Sequence, residues 1–101
     1  MTKKLHAVEW TVPALRSLLE VVQYIKADDP AAAQRFGKEI KKKVARLAQY
    51  PNSGRMVPEF PTSGLREVIV GNYRIIYRIV SKQPRVEILT VHHGARRIEE
   101  G

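Results

Sequence analysis

From Leu5 to Trp10 the chain alternates, with Leu5, Ala7 and Glu9 on one side of the run and His6, Val8 and Trp10 on the other, which predicts a short strand. The period then changes. Leu15, Leu18, Leu19, Val22 and Ile25 recur at steps of three and four, predicting a helix over about Val12 to Lys26 with Thr11 as cap and Pro13 in its first turn. Asp28, Asp29 and Pro30 stop this helix and start a second, with Asp29 as cap and Pro30 at the first helical position. The second helix carries Ala33, Phe36, Ile40, Val44 and Leu47 on one stripe. So short a connection folds two amphipathic helices into an antiparallel hairpin.

Between Pro51 and Gly64, the prolines at 51, 58 and 61 and the glycines at 54 and 64 predict a long loop without regular structure. Two β-rich runs follow, meeting at Gly71 and Asn72, a pair suited to a two-residue hairpin turn. A turn that tight sets Val70 opposite Tyr73, Val68 opposite Ile75 and Arg66 opposite Tyr77. One face of the hairpin then holds Val68, Val70, Tyr73, Ile75, Tyr77 and Ile79 and packs on the helices. The other holds Leu65, Glu67, Ile69, Arg74, Ile76, Arg78 and Val80. A last strand runs from Arg85 to His92, and its apolar residues Val86, Ile88, Leu89 and Val91 fall on both faces, as in the interior of a sheet. The order is therefore strand, helix, helix and three strands: one α+β domain over residues 1–101, with a helical hairpin on a mostly antiparallel sheet.

Composition narrows the chemistry. With no cysteine there is no disulfide, zinc thiolate or cysteine nucleophile, and no apolar run is long enough to cross a bilayer, so the expected location is the cytoplasm. Eighteen Lys and Arg against ten Asp and Glu give a net charge of +8, which draws polyanions or acidic partners. Arg35, Lys38, Lys41, Lys42 and Arg46 surround the apolar stripe of the second helix; a charge run of this kind is usually a solvated face.

The hairpin's second face is the chemically distinctive one. Glu67 lies opposite Ile76, so Arg74 and Arg78 are its diagonal neighbours. They form either a solvated salt-bridge cluster or an anion site in which Glu67 positions two guanidinium groups. His92 and His93 point to opposite faces of an extended strand and make a poor pair of metal ligands. One of them is a candidate general acid or base, against the commoner alternative of a structural histidine at a strand end.

The segments REVIVGNYRIIYRIV and VEILTVHHGAR, in this element order, resemble the RelE/ParE superfamily of bacterial and archaeal toxins, over nearly the whole chain. The resemblance implies a small toxin neutralised by a cognate antitoxin encoded beside it; no cofactor and no metal are expected. It also implies one of two activities. RelE-like members cleave messenger RNA on the ribosome, whereas ParE-like members inhibit DNA gyrase. Arg74 matches the catalytic arginine of the nuclease branch, and Arg78, Glu67 and His93 are the further catalytic candidates if the chain is a nuclease. However, the two strand lysines of that branch fall at Leu65 and Glu67, and the tail Ile98 to Gly101 lacks its terminal tyrosine. The HGAR ending is similar to the ParE branch, so a ParE-like gyrase inhibitor is the favoured reading and a ribosome-dependent nuclease the alternative. On that reading Arg74, Arg78, Arg96 and Arg97 are candidates for target contact. Leu15, Leu18, Val22, Phe36 and Ile40 are shared between the core and an antitoxin groove. A basic nucleic-acid-binding module without toxicity ranks last, because single-strand binders need a stacking platform that the chain lacks.

Overall fold

The computed structural model of the chain describes residues 5–95. Strand β1 (Ala7–Trp10) leads into helices α1 (Val12–Asp28) and α2 (Pro30–Gln49), followed by β2 (Arg55–Met56), β3 (Arg66–Val70), β4 (Tyr73–Val80) and β5 (Arg85–His93). The five strands form one sheet in the order β1-β5-β4-β3-β2. Only β1 and β5 are parallel; the other neighbours are antiparallel. The chain thus crosses from β1 at one edge through the helical hairpin and returns to finish beside it, which makes β5 the interior strand its two-sided apolar pattern predicts.

A single residue joins the helices. The Asp29 N–H donates to the Ile25 carbonyl at 2.8 Å and closes α1, while its carboxylate accepts from the Ala32 N–H at 3.1 Å and opens α2. Because one residue serves both ends, α1 runs two residues beyond the predicted Lys26. At the start of α1, the Thr11 hydroxyl accepts from the Ala14 N–H at 3.3 Å and donates to the Ile88 carbonyl at 2.8 Å, fastening the helix to β5.

The stripe of α2 is buried as its spacing predicts: Ala33, Phe36, Ile40, Val44 and Leu47 all lie in the core. The stripe of α1 is rotated from its predicted position. Ala14 is its buried residue, with Leu18, Val21, Val22 and Ile25 packed against the core, whereas Leu15 and Leu19 are 51% and 58% exposed. Apolar residues occupy more than half the circumference of α1, so their spacing alone leaves open which arc faces inward. Close approach to β5 at the small Ala14 decides it.

The β3–β4 register follows the two-residue turn: Val70 pairs with Tyr73, Val68 with Ile75, Glu67 with Ile76 and Arg66 with Tyr77. Within this turn positive φ falls on Gly71, at 57°, and not on Asn72, the pattern of a hairpin turn whose first central residue must be glycine. Between β4 and β5 a bulge shifts the register after Ile76, which pairs with Thr90 while Tyr77 pairs with Ile88. Leu89 is the extra residue, which is why apolar side chains at 88 and 89 need not alternate as in a flat strand.

The segment after α2 departs from the unstructured loop predicted for it. Pro51–Ser53 form a turn of 3₁₀ helix, and Arg55–Met56 add a fourth strand after the helices, paired with Glu67 and Arg66. Tyr77 is the reason. Its buried hydroxyl donates to the Pro51 carbonyl at 2.6 Å and accepts from the Gly54 N–H at 2.9 Å, pinning the segment against the sheet edge. A Cβ on Gly54 would lie 2.5 Å from that hydroxyl and 2.7 Å from the Glu67 carbonyl, so no larger residue fits. Among the described residues, no helix is long and apolar enough to cross a membrane.

Candidate functional site

The chemically loaded face of the hairpin is closed by the polypeptide itself. Beyond β2, Val57 is fully buried, its N–H bonded to the Leu65 carbonyl at 3.0 Å, and the chain between them returns over the sheet face that carries Glu67, Arg74 and Ile76. From this segment Glu59 reaches Arg74. The two side chains make a bidentate pair, Nη1 to Oε2 at 2.8 Å and Nη2 to Oε1 at 2.7 Å. The third side of the same guanidinium meets Glu67, whose Oε1 accepts from Nε at 2.8 Å. The second oxygen of Glu67 accepts from Nε of Arg55 at 2.6 Å.

Two carboxylates and two guanidinium groups thus alternate in a chain, Glu59, Arg74, Glu67, Arg55, whose formal charge sums to zero. Arg74 is only 5% exposed and Glu67 1%. The bidentate bond from Glu59 raises the pKa of Arg74; burial opposes this rise, and Glu67 adds to it. Arg74 is therefore permanently charged and already spent on internal partners.

This corrects the anion site envisaged on the face. Glu67 does hold Arg74, its diagonal neighbour in the predicted register, but it does not hold Arg78. That arginine turns to the residue directly opposite on β5, with Nε donating to Glu87 at 2.7 Å. A straight cross-strand pair outcompetes the diagonal one, and Arg74 already occupies the free oxygen of Glu67. Arg85, on the same strand as Glu87, lies 3.4 Å from that carboxylate.

The histidines lie on opposite faces, as an extended strand requires. His93 pairs with Tyr73 on the helix side, its ring edge-on to the tyrosine at 5.3 Å, and its Nδ1 accepts from the Ala95 N–H at 3.2 Å. His92 pairs with Arg74. Glu67 and His93 are thus separated by the sheet, so the pair considered for acid and base work is not assembled; the histidine on the arginine's face is His92. Of the residues assigned to an antitoxin groove, Phe36 and Ile40 are buried in the core, Leu18 and Val22 are partly buried, and Leu15 stands outside. Arg96 and Arg97 lie outside the described residues. Glu59 carried no sequence signal, being a single acid in a proline-rich stretch with no period to assign it a face.

The sequence from residue 8 to 98 matches the family model of the ParE toxin of the type II toxin-antitoxin system parDE. The chain belongs to the ParE toxin family. Among the relatives of this ParE family member, it is 43% identical over 89 residues to the putative toxin Y4kP of Sinorhizobium fredii, covering 86% of each chain. It is 38% identical over 90 residues to the toxin RelE2 of Caulobacter vibrioides, covering 88% of this chain and 96% of that one. Its fold resembles the solved chromosomal ParDE system of P. aeruginosa, with a TM-score of 0.72 at 19% identity over 89% of this chain and 97% of the other. The α+β architecture read from the sequence is thus that of the ParE and RelE toxins.

Proposed function

We propose that this ParE-family toxin acts in the cytoplasm as an inhibitor of DNA gyrase, held inactive by a cognate antitoxin, and not as a nuclease. The observation that carries this reading is the enclosure of Arg74 by Glu59 and Glu67. Cleaving RNA through its own 2′-hydroxyl needs a cation at the phosphate, a base and an acid, all open to the substrate. The best-matched arginine here is buried and neutralised, the carboxylate beside it is engaged by two guanidinium groups, and His93 is on the far face. Leu65 and Glu67, where the nuclease branch has lysines, support the same conclusion.

The test is supercoiling of relaxed plasmid by purified gyrase in the presence of increasing toxin. Dose-dependent loss of supercoiling, reversed when the protein encoded by the adjacent reading frame is added, is the expected result. Undiminished supercoiling at a large molar excess of folded toxin would remove gyrase as the target.

A further inference from the structure

Three exposed cations of α2 lie on one line along the helix. Lys38, Lys42 and Arg46 follow one another at four-residue intervals, a nearly straight row about 12 Å long at a rise of roughly 1.5 Å per residue. Lys42 and Arg46 of this row, with Lys43, line one side of a groove of about 530 Å³ between α2 and the β2–β3 edge, and Arg55, already paired with Glu67, lies on the other. Three of these are fixed by the fold. The Lys43 ammonium donates to the Ile69 carbonyl at 2.7 Å, the Arg46 guanidinium lies over the Tyr50 ring at 5.7 Å, and Arg55 is held by the buried Glu67 while its own side chain stays 62% exposed.

Two acidic residues line the groove. Glu67 is already matched by Arg74 and Arg55, and Glu39 sits where the groove meets the next cavity along α2. The result is a straight row of three exposed cations beside a groove whose apolar wall residues are Val68 and Ile69. A duplex presents one negative charge per roughly 1.7 Å of axis on a stiff rod, which suits a straight row of cations and needs no stacking platform.

We propose that the groove between α2 and the β2–β3 edge binds the phosphodiester backbone of duplex DNA without regard to sequence. This assignment does not depend on gyrase being the toxin's target, because the contact is made by the toxin alone. It gives the +8 charge a location and a partner.

The full chain is titrated into a fluorescently labelled 30-base-pair duplex of mixed sequence, followed by anisotropy at several salt concentrations. Two variants carry equal charge changes: Lys38→Gln/Lys42→Gln/Arg46→Gln on the row, and Arg16→Gln/Lys26→Gln/Lys82→Gln away from it. All three substitutions in each set are at exposed positions, and circular dichroism confirms folding. The expected result is binding by the wild type that weakens steeply with salt. The row variant should lose at least about tenfold in affinity and about three in salt slope, and the control should stay within about twofold. Equal weakening of both variants would reduce the effect to net charge and overturn the site. So would absence of binding at 50 mM salt, or displacement of the duplex by polyglutamate at equal charge concentration, which would assign the groove to an acidic polypeptide.

Discussion

Arg74 makes three hydrogen bonds to two carboxylates in a setting from which water is nearly excluded. Truncating it removes the cation that Glu59 and Glu67 share and leaves Glu67 only its second partner, Arg55, and breaking a buried pair in this way costs about 3–5 kcal/mol. Arg74→Ala should therefore lower the urea-unfolding free energy by that amount. Arg78→Ala removes one exposed pair and should cost less than about 1 kcal/mol. Equal losses would show that the network is not the structural element its geometry indicates. Tyr77 offers an independent check. Burial raises the pKa of its phenol above the ordinary 10.0, so the unfolded chain ionises first and the folded state loses stability as pH rises past about 10. In an absorbance titration one of the four tyrosines should ionise late, with unfolding; Tyr77→Phe should abolish that step and cost about 1–3 kcal/mol by orphaning the Gly54 N–H and Pro51 carbonyl.

At the scale of elements, α1 and α2 differ in how strongly each is committed to the core. Leu47 on α2 is fully buried, and Leu47→Ala should cost about 2–5 kcal/mol; Leu15→Ala on the outer side of α1 should fall within about 0.5 kcal/mol, both measured by chemical denaturation. The same contrast explains what the sequence made legible. On α2 the apolar residues form one narrow stripe amid lysines, so the buried face could be read directly. On α1 they spread too widely, and only packing against β5 selects Ala14 over Leu15 and Leu19. The β3–β4 register was legible because a two-residue turn leaves one way to pair the strands. The bulge at Leu89 and the strand Arg55–Met56 were not, since both depend on contacts distant in sequence, the latter on the Tyr77 hydroxyl. The ion network was half legible for the same reason: Glu67 and Arg74 follow from the register, whereas Glu59 arrives from a segment with no periodicity.

For the whole molecule, charge is sorted between two sides of the β3 edge. On the sheet face the charges cancel in a closed chain of four side chains; along α2 they accumulate in an open row. On the proposed reading, the toxin offers its target surface cations in place of a phosphate-cleaving centre, although an arginine matching that of the nuclease branch is present. The most direct measurement is primer-extension mapping of a defined messenger RNA on translating ribosomes incubated with the purified toxin. With Arg74 locked between Glu59 and Glu67, the message should remain intact at toxin concentrations that abolish gyrase supercoiling. Cuts within the ribosomal A site, lost in a folded Arg74→Lys variant, would contradict it.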